Sequence, residues 1–182
     1  MPSVHQKGRS WAPLWPAYAA AGFVGLFCVV VLGLAVVNAV VEGAWPEGDG
    51  WVALGSVGLR ILTVALALAS VRPWGRRLPS RLVLGGLWGS AAAQFVYPAL
   101  ELVVKLLILA GVPIALGKGI SNMSATGWFN FAAVWVVFGI PAVLFGLAAV
   151  SFQRRIAASS LFAWLGILGG SAALLLIGVL IG

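Results

Sequence analysis

Five long apolar blocks, "GLFCVVVLGLAVV" and "SAALLLIGVLIG" among them, dominate this chain. A backbone that enters lipid has no water to bond to, so it must satisfy its own N–H and C=O groups; only helices and closed barrels do this. Barrel strands alternate apolar and polar side chains, and these blocks do not. The composition agrees: 62% of the 182 residues are hydrophobic and 8% are charged, against about 25% charged in a soluble domain. The expected fold is an all-α polytopic membrane bundle. Residues 1–14 form an N-terminal tail, and residues 15–182 form one transmembrane domain.

The spans are expected at residues 15–41, 51–71, 82–110, 127–151 and 159–181. Each exceeds the roughly 20 residues that cross a bilayer. The first block is much longer than the 7–15 apolar residues of a cleaved signal, so it is expected to be a retained anchor. Orientation follows from lysine and arginine bias. Lys7 and Arg9 precede the first span, "RPWGRRLPSR" follows the second with Arg72, Arg76, Arg77 and Arg81, and Arg154 with Arg155 follow the fourth. With five helices, all eight of these charges share one side. The opposite loops, "EGAWPEGDG" and "GVPIALGKGISNMSAT", hold only Lys118 as a cation. The N-terminus is therefore expected in the cytoplasm and the C-terminus outside. Tryptophans mark both interfaces: Trp11, Trp15, Trp74 and Trp164 at the arginine-rich boundary, Trp45, Trp51 and Trp128 at the other.

Polar residues inside the spans are few, and Arg60 is the most demanding. It lies nine residues past Trp51, roughly 13 Å deep at 1.5 Å per residue, where an arginine costs about 2.5–3.5 kcal/mol. It should face the bundle interior with a partner, or snorkel outward. Counting from the arginine-rich turn places it level with Ala93 and Gln94, and counting from the outer end of the third span places it level with Glu101. Tyr97, Glu101 and Lys105 follow one another at i, i+4 on one helical face, with Gln94 at its border. Pro98 lies in that stretch and frees a backbone carbonyl. The expected cluster is Arg60, Gln94, Tyr97 and Glu101, with Lys105 as a local partner of Glu101. It either fastens two helices together or receives a polar ligand, headgroup or ion.

Two small-residue motifs, Gly85-x-x-x-Gly89 and Gly166-x-x-x-Gly170, have the spacing that lets helix backbones approach closely. They suit packing within one chain or between two copies. Pro141 is expected to bend the fourth span. Cys28, the single cysteine, excludes an internal disulfide and any multi-cysteine metal centre; within an apolar block it acts as a small hydrophobe. Glu42, Glu47 and Asp49 are read as keeping their loop solvated. No metal site, cofactor or catalytic set is expected, and His5 stands without partners in the tail. The net charge of +7 sits at block ends, where it sets orientation and does not suggest a nucleic-acid surface.

The outer loop before "GWVALGSVGLR", the "RPWGRRLPSRLVL" turn and the "GWFNFAAVWVVFGIPAVLFGLAAVSFQRR" helix together resemble a family of small actinobacterial multi-pass membrane proteins defined by a domain of unassigned function. The resemblance implies a bacterial inner-membrane location and transfers no catalytic residues. The expected function is a non-enzymatic accessory or binding component of that membrane. Its partners are the lipid bilayer and either a membrane protein or further copies of the chain. A small oligomeric transporter or channel is the first alternative, and an intramembrane enzyme acting on lipid through Tyr97 and Glu101 the second.

Overall fold

The computed structural model describes residues 12–41, 43, 48–114 and 119–181, and all regular structure among them is helical. Helix α1 covers Trp15–Val41, α2 covers Asp49–Ala69 and α3 covers Ser80–Leu109; the 3-10 turn Pro73–Arg77 joins α2 to α3. Helix α4, Ala125–Val134, passes through one π turn, Trp135–Gly139, into α5, Ile140–Ile156, and α6 covers Leu161–Ile181. Four stretches are long and apolar enough to cross a membrane: Trp15–Val41, Gly50–Ala69, Ser80–Leu109 and the composite Ala125–Ile156. Helix α6 is a fifth apolar helix of 21 residues, about 30 Å long. The expected places of Lys7, Arg9, Trp11, Glu42, Trp45, Glu47 and Lys118 lie outside the described residues.

The fourth span departs from expectation twice. It continues to Ile156, past the expected end at Ser151, because Arg154 and Arg155 occupy its last turn. There, cations complement the exposed carbonyls of a helix C-terminus, and Arg155 Nε donates to Ser151 O at 3.4 Å. Ala157, at φ 49°, then turns the chain out of the helix through the left-handed region. The span is also not one regular helix. Through the π turn the N–H of Ile140 reaches back five residues to Trp135 O, and the next residue, Pro141, has no N–H to offer. The proline thus sits where the backbone pairing changes.

Helix α3 packs on both α5 and α6, α1 packs on α2 and α5, and α2 meets α3. Most of the core lies toward the arginine-rich end. It joins Ala17, Ala20, Ala21, Val24 and Cys28 of α1 to Val57, Ala67 and Ala69 of α2, Val83, Leu87 and Ala91 of α3, and Phe145, Ala148 and Ala149 of α5. Alanine dominates because lipid tails are as apolar as leucine, so helices associate through close backbone approach. Beyond Cys28, α1 buries no further residue, and its Val29, Leu34, Val36 and Val40 stay exposed. Apolar side chains there lose nothing by facing lipid.

Four glycines close the contact between α3 and α6. A Cβ on Gly166 would strike the backbone of Gly85, one on Gly170 the backbone of Gly89, and one on Gly89 would lie 3.1 Å from Gly166 O. The two motifs thus face each other within one chain. Arg81 of α3 adds a cation–π contact, 4.9 Å from the ring of Phe162 in α6.

The basic segments meet at one end of the bundle. Ser151 Oγ at the end of α5 donates to Pro13 O ahead of α1. Arg72, after α2, lies 5.5 Å from the ring of Tyr18 in α1. The starts of α1 and α3 and the ends of α2 and α5 therefore share a face, as the alternation of spans requires.

Candidate functional site

Among the described residues, two cations are buried in this bundle, Arg60 and Lys105. Arg60 is 8% exposed. Its guanidinium lies 4.3 Å from the ring centroid of Phe27 in α1 and 4.7 Å from that of Phe138 in the π turn. Arg60 Nη1 also donates to Val137 O at 3.4 Å. The backbone explains why that carbonyl is open. In an α-helix Val137 O would accept from residue 141, which is Pro141, and proline has no N–H. The proline frees the acceptor, and an arginine two helices away in sequence takes it. Ring faces carry negative charge and attract a desolvated cation by about 2 kcal/mol each.

Lys105 is fully buried. Its Nζ donates to Asn122 O at 2.7 Å and lies 3.7 Å from Glu101 Oε1, one turn back on α3. The rings of Trp128 and Phe131 are 5.2 and 5.7 Å away. The corner around Asn122 is built for this contact. Asn122 Oδ1 accepts from Ser124 N at 2.9 Å, and Ser124 Oγ caps α4 by accepting from Gly127 N. A Cβ at Gly127 would overlap the Asn122 carbonyl, so glycine is what lets the loop close over the helix.

Aromatic residues connect the two cations. Trp128, Phe131, Trp135 and Phe138 recur at intervals of three and four along α4 and the π turn. Trp128 meets Phe131 at 5.6 Å, Phe131 meets Trp135 at 6.2 Å, and Trp135 meets Phe95 of α3 at 6.1 Å. Phe138, beside Arg60, also meets Tyr97 at 6.0 Å. One aromatic ridge therefore carries Lys105 at one end and Arg60 at the other.

The expected polar cluster is divided between these two places. Glu101 and Lys105 form the anticipated pair, and Tyr97 reaches Arg60's neighbourhood through Phe138. Glu101 is not within ion-pair distance of Arg60. Gln94 stays on its own helix, where its Nε2 donates to Ser90 O at 3.2 Å while its Oε1 is buried with no hydrogen-bond partner. Sequence reasoning missed Phe27, Val137, Phe138 and Asn122. Two signals pointed toward them: the spacing of 128, 131, 135 and 138, and a proline four residues after Val137.

The separation has a measurable consequence. Arg60→Gln loses two ring contacts and the hydrogen bond to Val137 O, a cost on the order of 3 kcal/mol. Combined with Glu101→Gln, the losses should add within about 0.5 kcal/mol, as for sites that share no partner. Thermal unfolding of the two single variants and the double variant in one detergent measures this; a larger coupling would show that the two side chains act as one unit.

Apolar spans around a core of small residues, with cations held on rings and freed carbonyls, define a multi-pass integral membrane protein. No family model, curated protein or solved structure matches the chain.

Proposed function

We propose that the chain is a non-enzymatic accessory or binding component of a bacterial inner membrane. One observation carries this reading. Arg60 and Lys105 direct their charges at partners within the chain, so each acts as a strut. Arg60 fastens α1 and α2 to the π turn, and Lys105 fastens α3 to the loop and α4. A permeation path or an acid–base pair needs polar groups facing water or substrate, and these two face rings and carbonyls. The bias toward alanine, glycine, valine and arginine supports a bacterial source, and the lysine and arginine distribution supports an N-terminus in the cytoplasm.

A small oligomeric transporter is the second reading, favoured by the π turn beside Arg60. Single π turns recur at functional sites, and interrupted helices build the ion sites of transporters. Reconstitution into liposomes separates the two. The accessory reading expects no solute or ion flux above protein-free vesicles, and co-purification of a larger membrane protein after gentle extraction. Flux that disappears in Arg60→Gln, with the fold intact, would overturn it.

A further inference from the structure

A cleft of about 570 Å³ opens at the arginine-rich end, between the end of α2, the 3-10 turn, the start of α3 and the end of α5. Arg72, Arg76 and Arg155 line it, together with Ser80 and Phe152. Three arginines, two from the connection between α2 and α3 and one from the last turn of α5, thus line one space. The chain's acidic residues are Glu42, Glu47, Asp49 and Glu101. Glu101 pairs with Lys105 near the far end of α3, and Asp49 begins α2 at that same far end. The cleft therefore gathers positive charge, and no carboxylate is among its described lining residues.

The donors are also available. Arg72 rests 5.5 Å from the Tyr18 ring and Arg155 5.5 Å from the Phe152 ring, contacts that fix a guanidinium while leaving its edge N–H groups open. Among the described residues, the side chains of Arg72 and Arg76 donate no hydrogen bond. Helix α3 begins at Ser80 without a side-chain cap, and its first two N–H groups, of Ser80 and Arg81, have no described partner. Such a helix start favours an anion. The depth is that of lipid headgroups: Trp74, in the 3-10 turn, is exposed, as are Trp15 and Trp164 at the starts of α1 and α6, and exposed tryptophans settle at the membrane interface.

We infer that this cleft binds a phosphate group, the chemistry shared by an anionic lipid headgroup and a soluble phosphate. Planar guanidinium forks suit phosphate oxygens, and basic pockets between membrane helices select anionic headgroups in this way. The cleft is separate from both buried cations and binds phosphate whether or not the bundle carries a solute.

Native mass spectrometry of the detergent-solubilised protein tests this. The probes are phosphatidylglycerol, phosphatidylcholine and inorganic phosphate. The wild type should bind phosphatidylglycerol at least tenfold more tightly than phosphatidylcholine. Arg72→Gln with Arg155→Gln should weaken phosphatidylglycerol about twenty-five-fold, from roughly fivefold per arginine. Six of the eight charges that set orientation remain in that variant, so its topology should hold. Arg154→Gln, outside the cleft, should weaken binding less than threefold. Competition by millimolar inorganic phosphate would identify a soluble phosphate as an occupant, and its absence would leave the lipid headgroup. Equal affinity of the wild type for both lipids, with no binding of inorganic phosphate, overturns the inference without any variant. So does an equal loss in Arg154→Gln, which would mean that charge alone, not the cleft, holds the lipid.

Discussion

Lys105→Met should lower the midpoint of thermal unfolding in detergent by on the order of 10 °C. The lysine side chain is fully buried, and its ammonium is the counter-charge of Glu101, itself 4% exposed. Methionine fills much of the same volume, so the loss is electrostatic and not a cavity. It leaves a carboxylate inside the bundle with no cation, and it leaves Asn122 O without its donor. Removing one partner of a buried pair costs about 3–5 kcal/mol, and each kcal/mol moves the midpoint by roughly 2–4 °C in a chain of this size.

The partner variant should behave differently. Glu101→Gln leaves Lys105 with Asn122 O at 2.7 Å and with the rings of Trp128 and Phe131. Those contacts keep the cation stabilised, so the loss should be less than half that of Lys105→Met. The double variant has no buried charge at this corner and should regain part of the stability lost in Lys105→Met. A replacement of both members of a buried pair is often tolerated where removal of one is not. Equal losses from the two single variants would mean that the ion pair is the main contact, and that the carbonyl and the rings add little.

The same contrast explains what could be read from the sequence. Helix positions were legible because apolar blocks and basic ends report directly on the membrane. The glycine pairs were legible because close backbone approach demands them at a fixed spacing. Glu101 and Lys105 were legible because a one-turn interval on one helix fixes their proximity. The partners of Arg60 were not. Matching depths assumes straight, regular helices and a partner of opposite charge. Arg60 instead meets two neutral rings and a main-chain oxygen, and the helix it meets is irregular at that level. Asn122 was harder still, because a loop carbonyl has no side-chain signature; only the folded corner at Gly127 brings it to Lys105. The arginine-rich end was assigned to orientation, which accounts for its charges but not for the cleft among them.

Gly170→Val should detach α6 from the bundle. Gly170 faces the backbone of Gly89, and the first added carbon would overlap its carbonyl. A backbone carbonyl within a helix cannot swing aside as a side chain does, so α6 must move away from α3. Forced expansion of a well-packed contact costs about 1–3 kcal/mol, and α6 has little else to hold it: its main neighbour is α3, and its Leu165, Leu168, Leu175 and Leu176 are exposed. The neighbouring glycine supplies the control. A Cβ at Gly169 meets nothing within 4 Å, so Gly169→Ala should be neutral or stabilise by up to about 1 kcal/mol through helix propensity alone. Gly170→Ala should destabilise despite the same gain in propensity. Thermal unfolding of the three variants, with protease sensitivity of the connection between α5 and α6 as a second readout, measures the difference. If Gly169→Ala and Gly170→Ala shift the midpoint alike, the two helices are not held by backbone contact at this crossing. If they shift it in opposite directions, the four glycines are what seat α6, and one added methyl group is enough to unseat it.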